Sequence, residues 1–240
     1  MNQYLIVLLF VVLLPLNAVC QVSNEDLKTM LIVRDLERES RPSRGAITGP
    51  GVVGDPYYSK RWNPGTITIY RDNKTFKLPG IKYDMVNFGV DALLDNQIKS
   101  LDGNLVKSFE YADSISRLPH RFVNGKDFTR DGVPVLGFLE ILCWGKVDVY
   151  AFTETTILKP NYNTALSSGS QDYQISKKRT LVYSPGIALR PMNKKELVTL
   201  WKEKESEMNS FQKINKLSLS NERDLLLMVD YFNTLSRFEK

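Results

Sequence analysis

The chain has 240 residues, is 42% hydrophobic and 25% charged, and carries a net charge of +5. That is enough apolar material for one or two packed domains and too much for a disordered chain. One histidine and two cysteines exclude His-rich metal sites, a two-histidine catalytic scheme and a disulfide framework.

Leu5 to Leu16 is an almost unbroken apolar run. At about twelve residues it is too short to span a bilayer and suits the h-region of a signal peptide. Ala18-Val19-Cys20 puts small residues at −3 and −1 of a cut before Gln21. Residues 1–20 are therefore expected to direct export and then to be removed, leaving no transmembrane span. No Lys or Arg precedes the run, so an uncleaved anchor is the alternative. Lipidation at Cys20 fits poorly, because Asn17 and Val19 stand where Leu and Gly or Ala are usual. After such a cut only Cys143 remains, and its setting in Phe138-Leu139-Glu140-Ile141-Leu142-Cys143 predicts a buried packing thiol.

Residues 21–45 read as a short helix and a linker. Ser23 with Asp26 three places on makes a capping box, and Leu27, Met30, Leu31 and Arg34 fall on one face. Glu37 to Arg44 is a mixed-charge run, and plain disorder is the competing reading.

Residues 46–192 read as an antiparallel β domain. It opens with a Gly/Pro-rich stretch, Gly45 to Pro64, in which Tyr57, Tyr58 and Trp62 are interleaved. The glycines are not a phosphate cradle, since no Lys-Ser or Lys-Thr follows them. These three rings are the candidate contact surface for a sugar or peptide; the other reading is a lid that packs them on the sheet edge. Strands are then expected at Gly65–Tyr70, Thr75–Leu78 and Ile81–Val86, separated by polar turns at Arg71–Lys74 and Pro79-Gly80. Asp102-Gly103 and Asn124-Gly125 signal further turns.

Phe138 to Cys143 is apolar on most of both faces, as a central strand should be, with Phe138, Glu140 and Leu142 on one face and Leu139, Ile141 and Cys143 on the other. Val147 to Thr153 is its half-buried neighbour across Trp144-Gly145-Lys146. Asn161 to Asp172 is a polar loop, followed by short strands near Tyr173–Ile175, Thr180–Tyr183 and Ile187–Leu189. Many short strands without crossover helices predict a meander closed as a barrel or sandwich.

Residues 193–240 change period. Asn193 and Glu196 form a capping box, and Leu197, Leu200 and Trp201 follow at i, i+3, i+4. Met208, Phe211 and Ile214 continue at three-residue spacing. Ser220 is placed to cap a last helix with Leu225, Met228, Val229, Phe232 and Leu235 along one side. The fold class is thus α+β, a β body with a small helical end packed on it. Residues 21–176 hold 19 basic and 19 acidic side chains and residues 177–240 hold 13 against 8, so the positive excess sits at the helical end. It is modest and mixed with Glu, which argues against a nucleic-acid partner.

The run of Asp55-Pro56-Tyr57, Pro64-Gly65-Thr66, Leu78-Pro79-Gly80-Ile81-Lys82-Tyr83, Gly145-Lys146-Val147, Asn215-Lys216-Leu217 and Val229-Asp230-Tyr231-Phe232-Asn233 resembles a widespread family of uncharacterised secreted proteins of Bacteroidota. The order of these short motifs over about residues 50–235 carries the resemblance. It implies export to the periplasm or outer membrane, a β-rich body and a helical end, and it brings no catalytic residues. Asp113-Ser114-Ile115 also fits the short O-glycosylation pattern of such bacteria.

Little chemistry is left to the residues. Gly-x-Ser-x-Gly, Ser-x-x-Lys and His-Glu-x-x-His are absent from the sequence. His120 reads as structural. Asp91 with Asp95 and Asp127 with Asp131 are the carboxylate pairs available to a glycosidase, but all four sit beside turns, where Asp serves the backbone. No catalytic, cofactor-binding or metal-ligating residue is assigned. The expectation is a non-catalytic envelope protein that binds or scaffolds an envelope protein or polymer. The alternative is a secreted hydrolase with an unidentified carboxylate pair.

Overall fold

The structure, a computed structural model, describes residues 51–235 except 95–96 and 163–164. The expected signal segment, the helix expected from Ser23, and Asp95 lie outside the described residues. The strands begin with β1 (Val52–Val53), β2 (Asn63–Ile69), β3 (Thr75–Asp84), β4 (Gly89–Leu94) and β5 (Gln97–Asp102). Next come β6 (Val106–Ala112), β7 (Pro119–Asn124), β8 (Thr129–Arg130) and β9 (Val133–Pro134). The last four are β10 (Phe138–Cys143), β11 (Asp148–Leu158), β12 (Tyr173–Ser184) and β13 (Arg190–Pro191). Helices α1 (Lys194–Leu200), α2 (Glu205–Ile214) and α3 (Glu222–Leu235) follow.

The α+β class stands as expected. One sheet runs β1-β12-β11-β10-β7-β6-β2-β3-β4-β5, with β13 beside β12, and every pairing but β1 with β12 is antiparallel. The sheet does not close into a barrel; instead it curls. Tyr83 on β3 and Phe138 on β10 are four strand intervals apart, about 19 Å in a flat sheet. Yet the Phe138 N–H donates to the Tyr83 hydroxyl at 3.0 Å. The curl wraps an aromatic core of Tyr83, Phe109, Tyr111, Phe122 and Phe138 with Ile67, Ile81 and Val90. Gly137, at φ 86°, permits the approach: a Cβ there would lie 2.6 Å from the Tyr83 hydroxyl.

At the other end the same face is covered by helices. Val147, Val149 and Tyr183 pack against Leu197, Trp201, Met208, Leu225, Met228, Val229 and Phe232. Asn233 pins α3 to the β10–β11 turn, its Oδ1 accepting from the Val147 N–H at 2.9 Å and its Nδ2 donating to the Val147 carbonyl at 3.0 Å. The opposite face of β7, β10, β11 and β12 buries Leu139, Tyr150, Phe152 and Val182 under residues 128–135 and 187–189.

Several local expectations are corrected. Pro79-Gly80 is not a turn, because β3 runs straight through it. The residue pair falls where the β2–β3 register shifts between Asn63 and Gly65, a bulge that spares proline its missing ladder donor. Asp102-Gly103 does not join a hairpin: it opens a 3-10 turn from β5 to β6, which pairs with β2. The strands expected near Tyr173 and Thr180 are one, paired along its length with β11. Asn221 rather than Ser220 caps α3, its Oδ1 accepting from the Asp224 N–H at 3.1 Å.

Ile214 does not continue the buried stripe of Met208 and Phe211; it is 78% exposed. Cys143 is half-buried rather than buried. A register shift between Ile141 and Cys143 turns it off the face of Ile141 and onto that of Val149, against the helices.

Candidate functional site

The Gly/Pro loop is held to the end of β3 by an isolated antiparallel bridge. The Tyr58 N–H donates to the Tyr83 carbonyl, the Met85 N–H donates to the Pro56 carbonyl, both at 2.9 Å, and Tyr57 bridges to Asp84. Extended backbone sends successive side chains to opposite faces, so the two adjacent tyrosines serve different sites.

Tyr58 turns inward. Its ring meets Phe122 edge-on at 5.0 Å, and its hydroxyl donates to Glu140 Oε2 at 2.7 Å. His120 Nδ1 lies 2.6 Å from Glu140 Oε1, and Tyr111 stacks on the imidazole at 5.1 Å. Arg179 approaches Glu140 at 3.8 Å and pairs with Glu222 of α3 at 2.5 Å. Glu140 thus sits between the aromatic core and the helix-covered core, its side chain 8% exposed. It is satisfied by a phenol, an imidazole and a guanidinium.

The electrostatics follow from this seam. Burial first, and then the Glu140 charge, hold the hydroxyls of Tyr58 and Tyr111 well above their ordinary pKa. The hydrogen bond to Glu222 raises that of Arg179 further. The sequence signal for this cluster was a single Glu inside an apolar run. Its partners lie 20 residues away (His120) and 82 away (Tyr58), beyond the reach of any local pattern.

Tyr57 turns outward. Its hydroxyl donates to Asp91 Oδ2 at 2.7 Å, Ser100 donates to Asp91 Oδ1, and Asp91 is 7% exposed. Lys82 lies over the Tyr57 ring at 4.7 Å and over the Trp62 ring at 5.2 Å. Lys177 donates to the Tyr57 carbonyl at 2.6 Å. Burial lowers the Lys177 pKa, partly offset by Asp55, with the like charge of Lys60 adding to the fall. Of the three rings expected to share one contact surface, Tyr57 and Trp62 are brought together around Lys82, half-buried, and Tyr58 is taken into the core.

Of the carboxylates weighed from the sequence, Asp91, Asp127 and Asp131 are among the described residues, and two of them are held by tyrosine hydroxyls. Asp91 is engaged as above. Asp127 accepts from the Tyr70 hydroxyl at 2.6 Å, while Asp131 sits exposed in the β8–β9 turn at φ 53°. Asp113 and Ser114 lie in a turn in which Asp113 accepts from the N–H groups of Ile115 and Ser116, holding its carboxyl below the usual range.

One groove, of about 650 Å³, runs between the β10–β11 turn and α3. Leu142, Cys143 and Trp144 form one wall, and Leu226 and Leu227 the other. Glu222, Arg223 and Asp230 line its rim. Glu222 and Asp230 are eight residues apart on one helix, about 12 Å along its axis, and Glu222 is already paired with Arg179. Among the described residues no group of three or more His, Cys, Asp or Glu side chains is placed to hold a metal ion. Nor is any helix there long and apolar enough to cross a membrane. Comparison with protein-family models, with curated proteins and with solved structures finds no match for the chain.

Proposed function

We propose that this is an exported, non-catalytic protein of the cell envelope, in the periplasm or at the outer membrane, that binds or scaffolds an envelope protein or polymer. The observation that carries this reading is the saturation of its buried acids. Asp91 and Glu140 each accept from two or more fixed donors, and a general acid or base must instead hold or release a proton at a reacting atom. Of the two acids of the groove, Glu222 is already paired with Arg179. The carboxylate hydrolase is therefore the weaker reading.

The Tyr57–Lys82–Trp62 patch is the contact surface. It presents two half-exposed rings with cations beside them, a combination that suits the apolar face of a sugar or an anionic group next to it. Envelope placement rests on the N-terminal apolar run and on the ordered motifs that resemble the Bacteroidota family.

The test is crosslinking from the Lys60–Trp62 loop in native envelopes, followed by identification of what is attached. A discrete partner that disappears with Trp62→Ala supports the proposal. Two results defeat it: a folded sample that captures nothing, or turnover of a glycan or peptide that vanishes with Glu140→Gln.

A further inference from the structure

The longest hairpin of the sheet ends in an apolar tip. β10 pairs with β11 as far as Phe152, and β11 then runs on to Leu158 with β12 as its one strand partner among the described residues. Six further residues carry the ribbon about 20 Å past β10. Arg130 pairs with Glu154 at the base of this arm at 3.3 Å. β1 joins its far end, where Leu158, Gln174 and Val53 form one row across three strands. The connecting loop is pinned: the Asn161 N–H donates to the Ser170 carbonyl at 2.9 Å, and the Ser170 N–H donates to Asn161 Oδ1 at 2.8 Å.

Apolar side chains collect at this end. Val53, Leu158, Tyr162, Leu166 and Tyr173 are each between 38% and 73% exposed. Scattered singly such residues are ordinary; gathered at one ribbon end they mark an interaction site. Lysines stand with them. Residues 155–178 hold Lys159, Lys177 and Lys178 against the single acid Asp172. Lys177 is engaged by the Tyr57 carbonyl, and Asp55 and Lys60 beside it offset one another. Lys159 and Lys178 are exposed and Asp172 is half-buried, so the charge that the tip shows to solvent is positive.

We propose that this tip enters the interfacial layer of a lipid bilayer with anionic headgroups. The end of a ribbon is convex, which suits a deformable layer better than a preformed hollow on a protein. Leu158 and Leu166 supply the apolar area, and Lys159 and Lys178 reach lipid phosphate on flexible stems. Tyr162 and Tyr173 combine an apolar ring with a polar hydroxyl, the pairing found at headgroup level. The contact uses none of the Tyr57–Lys82–Trp62 patch and stands or falls separately from the function proposed above.

Quenching by brominated lipid tests it on the purified full chain. Leu166→Trp and Val198→Trp each add one indole, at the tip and at the helical end. Vesicles of brominated phosphatidylcholine with about one-third phosphatidylglycerol should quench the added emission at 166 and leave that at 198. Omitting the anionic lipid or adding salt should weaken the effect. Placed in the Leu166→Trp chain, Leu158→Asp should raise the lipid concentration for half-quenching about tenfold, and the paired exchange Lys159→Glu with Lys178→Glu should abolish the preference for anionic vesicles. All these sites are exposed, so unchanged melting would show that the variants fold. Emission at 166 that no vesicle quenches overturns the proposal. So does equal quenching at 166 and 198, which would place the contact elsewhere on the chain, or quenching that neither the Asp nor the paired Glu variant alters.

Discussion

The two ends of the sheet bury the same face by different means. From β3 to β10 the sheet covers itself with large rings, Phe109 stacked on its cross-strand partner Phe122 at 4.5 Å and Tyr83 reaching across the curl to Phe138 at 5.2 Å. At β11 and β12 the face carries Val149, Leu181 and Tyr183, and three helices supply the cover. Aromatic rings crowd the hollow of the bent part, while at the other end a mostly aliphatic surface with Tyr183 takes the helix stripes. Glu140, with its ring of donors, marks where one solution gives way to the other.

The largest effect that would separate the two ends is expected from Phe122→Ala. It removes a ring 1% exposed that touches Tyr58, Tyr83, Phe109 and Tyr111. A loss of about 3–5 kcal/mol is expected in denaturant unfolding, enough to abolish the native state of a marginal domain.

Asn233→Ala should cost about 2–3 kcal/mol, because both the N–H and the C=O of Val147 lose their partner in a buried site. Hydrogen exchange should then show α3 loosened while β2, β3 and β6 stay protected. Equal loss throughout would mean that the two ends are one cooperative unit and not separable regions.

Glu140→Gln tests the seam between them. Its amide keeps one acceptor but loses the charge that holds Arg179 and His120, and about 1–2 kcal/mol should be lost. The figure is kept low because Arg179 is 35% and His120 28% exposed on the side chain. A stability change indistinguishable from zero would show that the seam contributes nothing at the junction.

The smallest effect is expected near neutral pH and grows in alkali. Burial raises the pKa of Tyr57, Tyr58, Tyr70, Tyr83, Tyr111, Tyr150 and Tyr183 in the folded state. A group whose folded pKa is raised holds its proton longer than in the unfolded chain. Its stabilisation is therefore complete below the unfolded value, about 10, and is lost as pH rises beyond it. Absorbance titration of phenolate should show these tyrosines ionising only together with unfolding above that pH. Ionisation of all eleven tyrosines in the native protein near pH 10 would contradict it.

Much of the architecture could be read from local pattern. Asn193 caps α1 as its spacing with Glu196 requires, its Oδ1 accepting from the Glu196 N–H at 3.0 Å. Leu225, Met228, Val229 and Phe232 all face inward on α3. Alternation placed β2 and β11, a run apolar on both faces placed β10, and the absence of crossover helices argued for antiparallel pairing. Two of the errors, at Pro79-Gly80 and at Cys143, came where the register shifts, at bulges that no composition announces.

By itself the sequence determined the class of fold, the change of period at Asn193 and the shortage of reactive groups, because periodicity, capping and residue type act over a few neighbours. Only the tertiary structure decided that the sheet curls instead of closing and that Tyr57 and Tyr58 part company. It also decided that Glu140 collects His120, Tyr58 and Arg179 from three other segments. Those contacts depend on which strands lie side by side, and strand order is set by burial summed over the whole chain, a quantity that no short stretch of residues contains.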